Sequence, residues 1–294
     1  MLWVVFTLLG AAGQTARNSL QRELTPRLGA LGATLVRFLF GFPFALLFLG
    51  CLLPFSGFAL PQVNLAFAGW TLLGALTQVA ATALMLLTME QRSFVVAVAT
   101  LKTEPLLVAL LGVTLLGDPL TAAMAAAILI ATLGVALISV RPTTLQGGSM
   151  AIVLGLASAA LFAASAIGYR GAILALHRTD YLLPATFALV AGLTLQTALL
   201  LAWLLLFRRG ALRDIIRLWK PSLAAGFAGA AASEFWFLAF ALATAASVRT
   251  LALVEVVFAQ CVSKFIFKQK TTLAEALGIV LLVLGAGLIV FAET

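Results

Sequence analysis

Apolar stretches of about 18–24 residues follow one another along almost the whole chain, each long enough for a helix to cross a hydrocarbon layer about 30 Å thick. In lipid every backbone polar group needs an internal partner, which leaves helices or closed barrels as spanning structures. The stretches lack the strict alternation of barrel strands, so helices are selected. A soluble core cannot absorb the excess: 63% of the 294 residues are hydrophobic and 10% charged, where soluble chains carry about 25% charged residues. The sequence therefore predicts an all-α integral membrane protein.

The pattern predicts about ten transmembrane helices, over 2–20, 29–53, 65–89, 93–116, 120–140, 150–169, 182–207, 221–243, 247–267 and 273–291. Residues 21–28 form a polar link, and Glu90-Gln91-Arg92, Gly117-Asp118-Pro119 and Lys268-Gln269-Lys270 form tight ones. Arg208, Arg209, Arg213, Arg217 and Lys220 make a basic loop before the eighth span. The chain opens Met1-Leu2-Trp3-Val4-Val5-Phe6 without a basic n-region, which reads as a first span and not a cleaved leader. Trp3, Trp70 and Trp203 fall near span ends and read as interface anchors.

Charges at mid-depth are what the apolar background makes conspicuous. Lys102-Thr103-Glu104-Pro105 lies inside the fourth stretch. A charge at that depth costs roughly 2.5–3.5 kcal/mol on insertion scales, so it faces a partner or a cavity. Pro105 removes a backbone donor and favours a hinge. Arg37, Glu234, Glu255 and Lys264 are the other deep charges, and Arg17 is expected to snorkel to an interface, as is Lys264. Gln14, Asn18, Thr77, Gln78, Ser165 and Tyr169 are polar residues that can face a cavity or bond between helices, and Trp236 can stack on a solute or simply fill core. Cys51 and Cys261 stand singly, and the one histidine, His177, sits in a polar loop, so neither a disulfide framework nor a metal site is expected.

The chain repeats itself. Glu104 aligns with Glu255 without gaps, Thr121 then falls on Thr272 and Gly134 on Gly285. The division is 1–142 and 143–294, each half with about five spans. An odd number of spans per half inverts the second half in the membrane, the pattern of transporters whose site lies at the midplane between the halves. Odd-numbered links carry Arg22, Arg27, Arg92, Arg141, Arg208, Arg209, Arg213, Arg217, Lys220, Lys268 and Lys270, and even-numbered links carry Arg170, Arg178 and Arg249. That bias puts the odd links in the cytoplasm and both termini outside it. The net charge of +8 is thereby a topology signal and not a nucleic-acid footprint.

Glu104-Pro105, followed by Gly117-Asp118-Pro119-Leu120-Thr121, resembles the EP…GE-x-L-T signature ending the fourth span of EamA-domain proteins, of the drug/metabolite transporter superfamily. Gly134-Val135-Ala136-Leu137 resembles that domain's small-residue fifth span, and Arg37-Phe38-Leu39-Phe40 its arginine-containing second span. The second half repeats the pattern with Glu255, Thr271-Thr272, Gly278 and Gly285, but has Val256 in place of the proline and Gln269 in place of the turn acid, and Asp118 replaces the commoner glutamate in the first half. The resemblance implies a helical bundle around a central cavity and the export of amino acids or other small metabolites. A bacterial inner membrane is the expected location.

The expected function is therefore secondary transport of a small organic solute by alternating access, without cofactor, as a monomer, with Glu104, Glu255, Arg37, Lys102, Glu234, Trp236, Gln14, Gln78 and Tyr169 around the solute and Pro105 as the hinge. Proton coupling through Glu104 or Glu255 is a sub-hypothesis. The mixture of deep acids and bases suits a zwitterion such as an amino acid, and equally suits internal ion pairing. No GxxxxGK[ST], HExxH or GxSxG motif occurs, so neither ATP nor zinc nor a serine nucleophile drives the chemistry. An intramembrane lipid-modifying enzyme built on a carboxylate pair is the alternative, together with a non-transporting receptor or channel.

Overall fold

The computed structural model describes residues 1–57, 59–91, 100–139, 149–207, 209–257 and 272–293. Those residues are overwhelmingly helical and contain no strand. Arg92, Arg141, Arg208, Cys261, Lys264, Lys268, Gln269, Lys270 and Thr271 lie outside them. The helices are α1 Leu2–Leu52, α2 Leu65–Gln91, α3 Glu104–Leu111, α4 Ala122–Ser139, α5 Ser149–Ala175, α6 Leu182–Phe207, α7 Arg209–Arg217, α8 Trp219–Leu242, α9 Ala245–Ala252 and α10 Leu273–Glu293. Six segments are long and apolar enough to cross a membrane: Gly32–Ser56, Leu65–Thr88, Ile152–Ala175, Leu182–Phe207, Trp219–Leu242 and Leu273–Glu293. Large apolar side chains cover the outside at Leu47, Leu110, Leu133, Phe207 and Leu284. Helices that are apolar all round belong in lipid.

α1 is two helices in one. Gly29 interrupts it with φ 68°, ψ 168°, a conformation that favours glycine. The Gln21 side-chain amide donates to the Ala33 carbonyl at 3.0 Å. Twelve residues of straight helix would hold those groups about 18 Å apart, so the chain doubles back at Gly29. Residues 21–28 are thus helical up to the reversal and not an extended polar link, and Gln21 is buried because it braces the hairpin. The basic stretch after the seventh span is a helix as well. In α7, Leu212 and Ile215 turn inward while Arg213, Asp214 and Arg217 stay exposed, the three-to-four spacing of an amphipathic helix.

The most extensive packing joins α1 to α8, α2 to α5, and α4 to α10. Small residues allow it. A Cβ on Gly134 would lie 2.6 Å from both the Gly278 carbonyl oxygen and the Leu282 nitrogen, and one on Gly285 would lie 2.6 Å from the Ala131 nitrogen. Close backbone approach replaces the hydrophobic effect as the cohesive force between helices in lipid. Local caps agree with the spans. Thr121 accepts from the Met124 N–H at 3.2 Å. Thr272 and Glu275 form a reciprocal capping box at 3.2 and 2.8 Å.

Two helical stretches are interrupted by turns. The chain turns at Lys102-Thr103, directly before Glu104 begins α3, and again at Leu253-Val254, directly after α9. The gapless alignment of Glu104 on Glu255 sets those two pairs against each other. Pro105 follows the first of these turns closely, whereas the second, at Leu253-Val254, forms without a proline.

Candidate functional site

Both broken helices carry their charges at the break. Glu104 Oε1 lies 3.1 Å from Arg249 Nε, with both side chains largely buried. The angle does not qualify as a hydrogen bond, and both atoms lack any other partner. Lys102 pairs with Glu255. Each pair crosses from one broken helix to the other, and each cation sits on a different segment from the acid it neutralises. Arg37 does not meet Glu104, and Lys102 does not meet Glu234, whose carboxylate accepts from Thr186 Oγ1 at 2.5 Å. Lys102 and Glu104 need not point apart as on a regular helix, because the turn at Lys102-Thr103 lies between them.

Beside this layer is a cavity lined by Gln14, Arg37, Gln78, Ser165, Tyr169, Trp236 and Arg249, with Phe162, Phe237 and Phe240 as walls. With the side chains as they stand it admits water and no organic solute. Arg249 joins cavity to ion pairs: its guanidinium lies 4.6 Å from the Trp236 ring centroid and 5.5 Å from that of Phe240. Of the residues named from sequence, Gln14, Arg37, Gln78, Tyr169 and Trp236 line the cavity. Glu104 reaches it through Arg249, Lys102 and Glu255 form the neighbouring pair, and Glu234 lies to the side. Arg17 is 2% exposed and turned inward, so it does not snorkel. Trp3, at 6%, is core and not an anchor.

Three residues central to the site were passed over. Gln196 stands alone in a run of leucines, the pattern that picked out Gln78. It donates to Gln78 Oε1 at 2.7 Å and to the Tyr169 hydroxyl at 2.8 Å, fixing both against the cavity. The Tyr169 ring fits a slot opened by Gly74 and Gly192, where a Cβ would come within 3.0 and 2.7 Å. Arg249 and Arg170 were counted as link charges. Arg170 is helical and buried, since α5 continues past Tyr169 to Ala175, and Arg249 is helical in α9 with its side chain largely buried.

Arg170 locks one end of the bundle. Its Nε and second terminal nitrogen each reach Asp118 at 3.0 Å, and its other nitrogen donates to the Phe240 carbonyl at 2.6 Å and to that of Ala243. A cation on the last carbonyls of α8 satisfies groups the helix cannot. Asp118 is presented by Gly117, at φ 67°, which ends the π-helical turn Gly112–Leu116. On the far side of the same corner Glu293 accepts from the Thr244 N–H at 2.8 Å and Ser247 Oγ at 2.5 Å, pinning the start of α9. Arg170→Lys keeps the charge but loses the planar fork. It is expected to lower stability by about 1.5–3 kcal/mol, read as the thermal midpoint of purified protein. A midpoint equal to wild type would show that charge alone is sufficient there.

No family model and no curated protein sequence matches this chain. The fold is similar to that of a solved crystal structure at a TM-score of 0.70 and 16% identity, with 99% of this chain and 97% of that chain aligned. At that identity the likeness shows the fold alone, an architecture shared from end to end by two chains of very different sequence.

Proposed function

We propose that the chain is a secondary transporter of a small organic metabolite, an EamA-domain member of the drug/metabolite transporter superfamily, and not an enzyme. It works by alternating access between two inverted five-helix repeats, 1–142 and 143–294, across a bacterial inner membrane. One observation carries the reading. Two helical stretches interrupted by turns are joined to each other by ion pairs beside a polar cavity, where a soluble or purely structural bundle would place apolar core. Broken helices at membrane depth are tolerated only where they line a cavity or are buried in protein. Reciprocal packing supports the repeat arrangement: Gly134 meets Gly278 as Gly285 meets Ala127, and the repeat alignment sets Gly134 on Gly285 and Ala127 on Gly278.

The burial of Arg170 and Arg249 supports both termini facing out, because it leaves Arg178 as the one cation assigned to the even-numbered links that is not engaged inside the bundle. A C-terminal tag accessible from outside intact cells is the expected result for that orientation, and a cytoplasmic tag reverses it.

Function is tested by reconstitution. Protein in liposomes should pass solute only when Glu104 and Glu255 are both present, and an imposed proton gradient should accelerate uptake if either glutamate carries a coupling proton. Wild-type uptake that does not respond to the imposed proton gradient would reject coupling. Absence of flux for any organic solute, with turnover of a lipid instead, would reject transport.

A further inference from the structure

The charge balance of the site selects the solute, granted the transporter reading above. Arg37 lines the cavity at 3% exposure. One terminal nitrogen donates to Thr82 Oγ1 at 3.2 Å, and the guanidinium lies 5.0 Å from the Phe38 ring centroid. Behind it Arg17 spends its Nε and a terminal nitrogen on Asn18 Oδ1, a neutral group, at 3.2 and 2.7 Å. The two stems run side by side over Gly229, where a Cβ would lie 3.3 Å from one and 3.4 Å from the other. No described carboxylate pairs with either.

The acids of the chain are committed elsewhere. Glu104 faces Arg249, Glu255 faces Lys102, Asp118 holds Arg170 and Asp180 holds Arg178. Glu234 takes Thr186, Glu275 the Thr272 N–H, and Glu293 the start of α9. Glu23 and Asp214 are exposed. Glu90, whose side chain is not among those described, lies about 12 Å further along α2 than Thr82. The segments outside the described residues contain no Asp or Glu. Among the described residues the four cations Arg17, Arg37, Lys102 and Arg249 thus stand against Glu104, Glu255 and, to the side, Glu234, whose second oxygen has no partner, and the layer keeps an excess of buried positive charge. Charge at this depth calls for a counter-ion. On the cavity wall itself the unfilled hydrogen-bonding capacity has the same sense, since the Trp236 indole N–H, on a 4% exposed side chain, has no acceptor.

We propose that the cavity takes an organic carboxylate of net negative charge on a flat apolar body, with Arg37 as the group that receives the carboxylate. A guanidinium meets a carboxylate through two parallel hydrogen bonds. A solute ammonium finds nothing comparable. Both glutamates of the layer already hold cations, and the Trp236 face that would take an ammonium is covered by Arg249. The amino acid expected from sequence is thereby narrowed to an acid without an amino group, and Phe162, Tyr169, Phe237 and Phe240 favour an aromatic body.

The test uses three probes with one skeleton, 3-phenylpropionate, phenylalanine and phenethylamine, binding to the purified full chain in lipid nanodiscs. The expected order is 3-phenylpropionate tighter than phenylalanine by about tenfold or more, with phenethylamine failing to compete, the size of difference one charged hydrogen bond makes. Arg37→Gln should weaken 3-phenylpropionate by about tenfold or more, and Arg37→Lys should recover part of that loss. Phenylalanine binding as tightly as 3-phenylpropionate, binding of none of the three, or a monodisperse Arg37→Gln protein within about twofold of wild type would each overturn the proposal. If Arg37→Gln does not fold, the wild-type order alone decides. The two readings fail separately. Bound 3-phenylpropionate that never crosses a proteoliposome overturns transport and upholds the anion site, whereas flux of phenethylamine upholds transport and overturns the anion site.

Discussion

Arg249→Gln is expected to abolish transport, by two orders of magnitude or more in proteoliposome flux, and to lower stability by about 3–5 kcal/mol, the cost of leaving a buried partner uncompensated. The abandoned group is Glu104, which has no other partner on its Oε1. Glu104→Gln should be nearly as damaging, because Arg249 then sits against Trp236 and Phe240 with no counter-charge. The double variant Glu104→Gln/Arg249→Gln separates the two roles. With both charges gone, stability should return to within about 1 kcal/mol of wild type, since a neutral pair of similar volume often matches a buried ion pair. On the proposed transporter reading transport should not return, because the ion pair between the two interrupted helices would be the element that alternating access breaks and remakes. A double variant that transports at the wild-type rate would reduce the pair to a structural tie.

Gly134→Val is expected to cost at least about 3 kcal/mol, beyond the usual range for overpacking, and to remove most of the monodisperse protein recovered from membranes. The obstacle is backbone: the new Cβ would stand 2.6 Å from the Gly278 oxygen and the Leu282 nitrogen, neither of which can rotate away. α4 and α10 would have to separate along their whole contact. Gly278→Val should fail in the same way, since its Cβ would meet the Gly134 oxygen at 2.6 Å. Gly287→Ala on the same helix is the control. Nothing lies within 4 Å of that position, and alanine there should be neutral or stabilising by up to about 1 kcal/mol. Equal losses at Gly134 and Gly287 would mean that helix flexibility, and not close approach, is what glycine supplies.

Much of the bundle was legible because the lipid requirement acts residue by residue. The limits of α2, α4, α6, α8 and α10 follow the apolar runs within a few residues, since a span ends where hydropathy ends. Hydropathy reads less well where polar residues are helical. Residues 21–28 and the basic stretch of α7 looked like loops because they are not apolar, yet in both the backbone stays helical, tied by Gln21 across a reversal in one case and by an amphipathic face in the other. The candidate site was legible to the extent that a charge or amide among leucines stands out. Gln14, Arg37 and Gln78 were found that way, Tyr169 and Trp236 as aromatic side chains with a polar atom, and Gln196 could have been. Arg170 and Arg249 were not, because each stands near the end of an apolar run, where a basic residue ordinarily marks a link.

The sequence by itself determined that the chain is a set of apolar helices, several long enough to cross a membrane, and marked Arg37, Lys102, Glu104, Glu234 and Glu255 as charges within apolar stretches. Those conclusions need only the cost of transferring each side chain into hydrocarbon, which is a local quantity. Only the tertiary structure decided which charges meet. Lys102 finds Glu255, Glu104 finds Arg249, and Arg37 with Arg17 is left with neutral partners. Ion pairing depends on distances across helices that no spacing along one helix encodes. The surplus positive charge, and the acid it calls for, becomes visible only once the pairs are known.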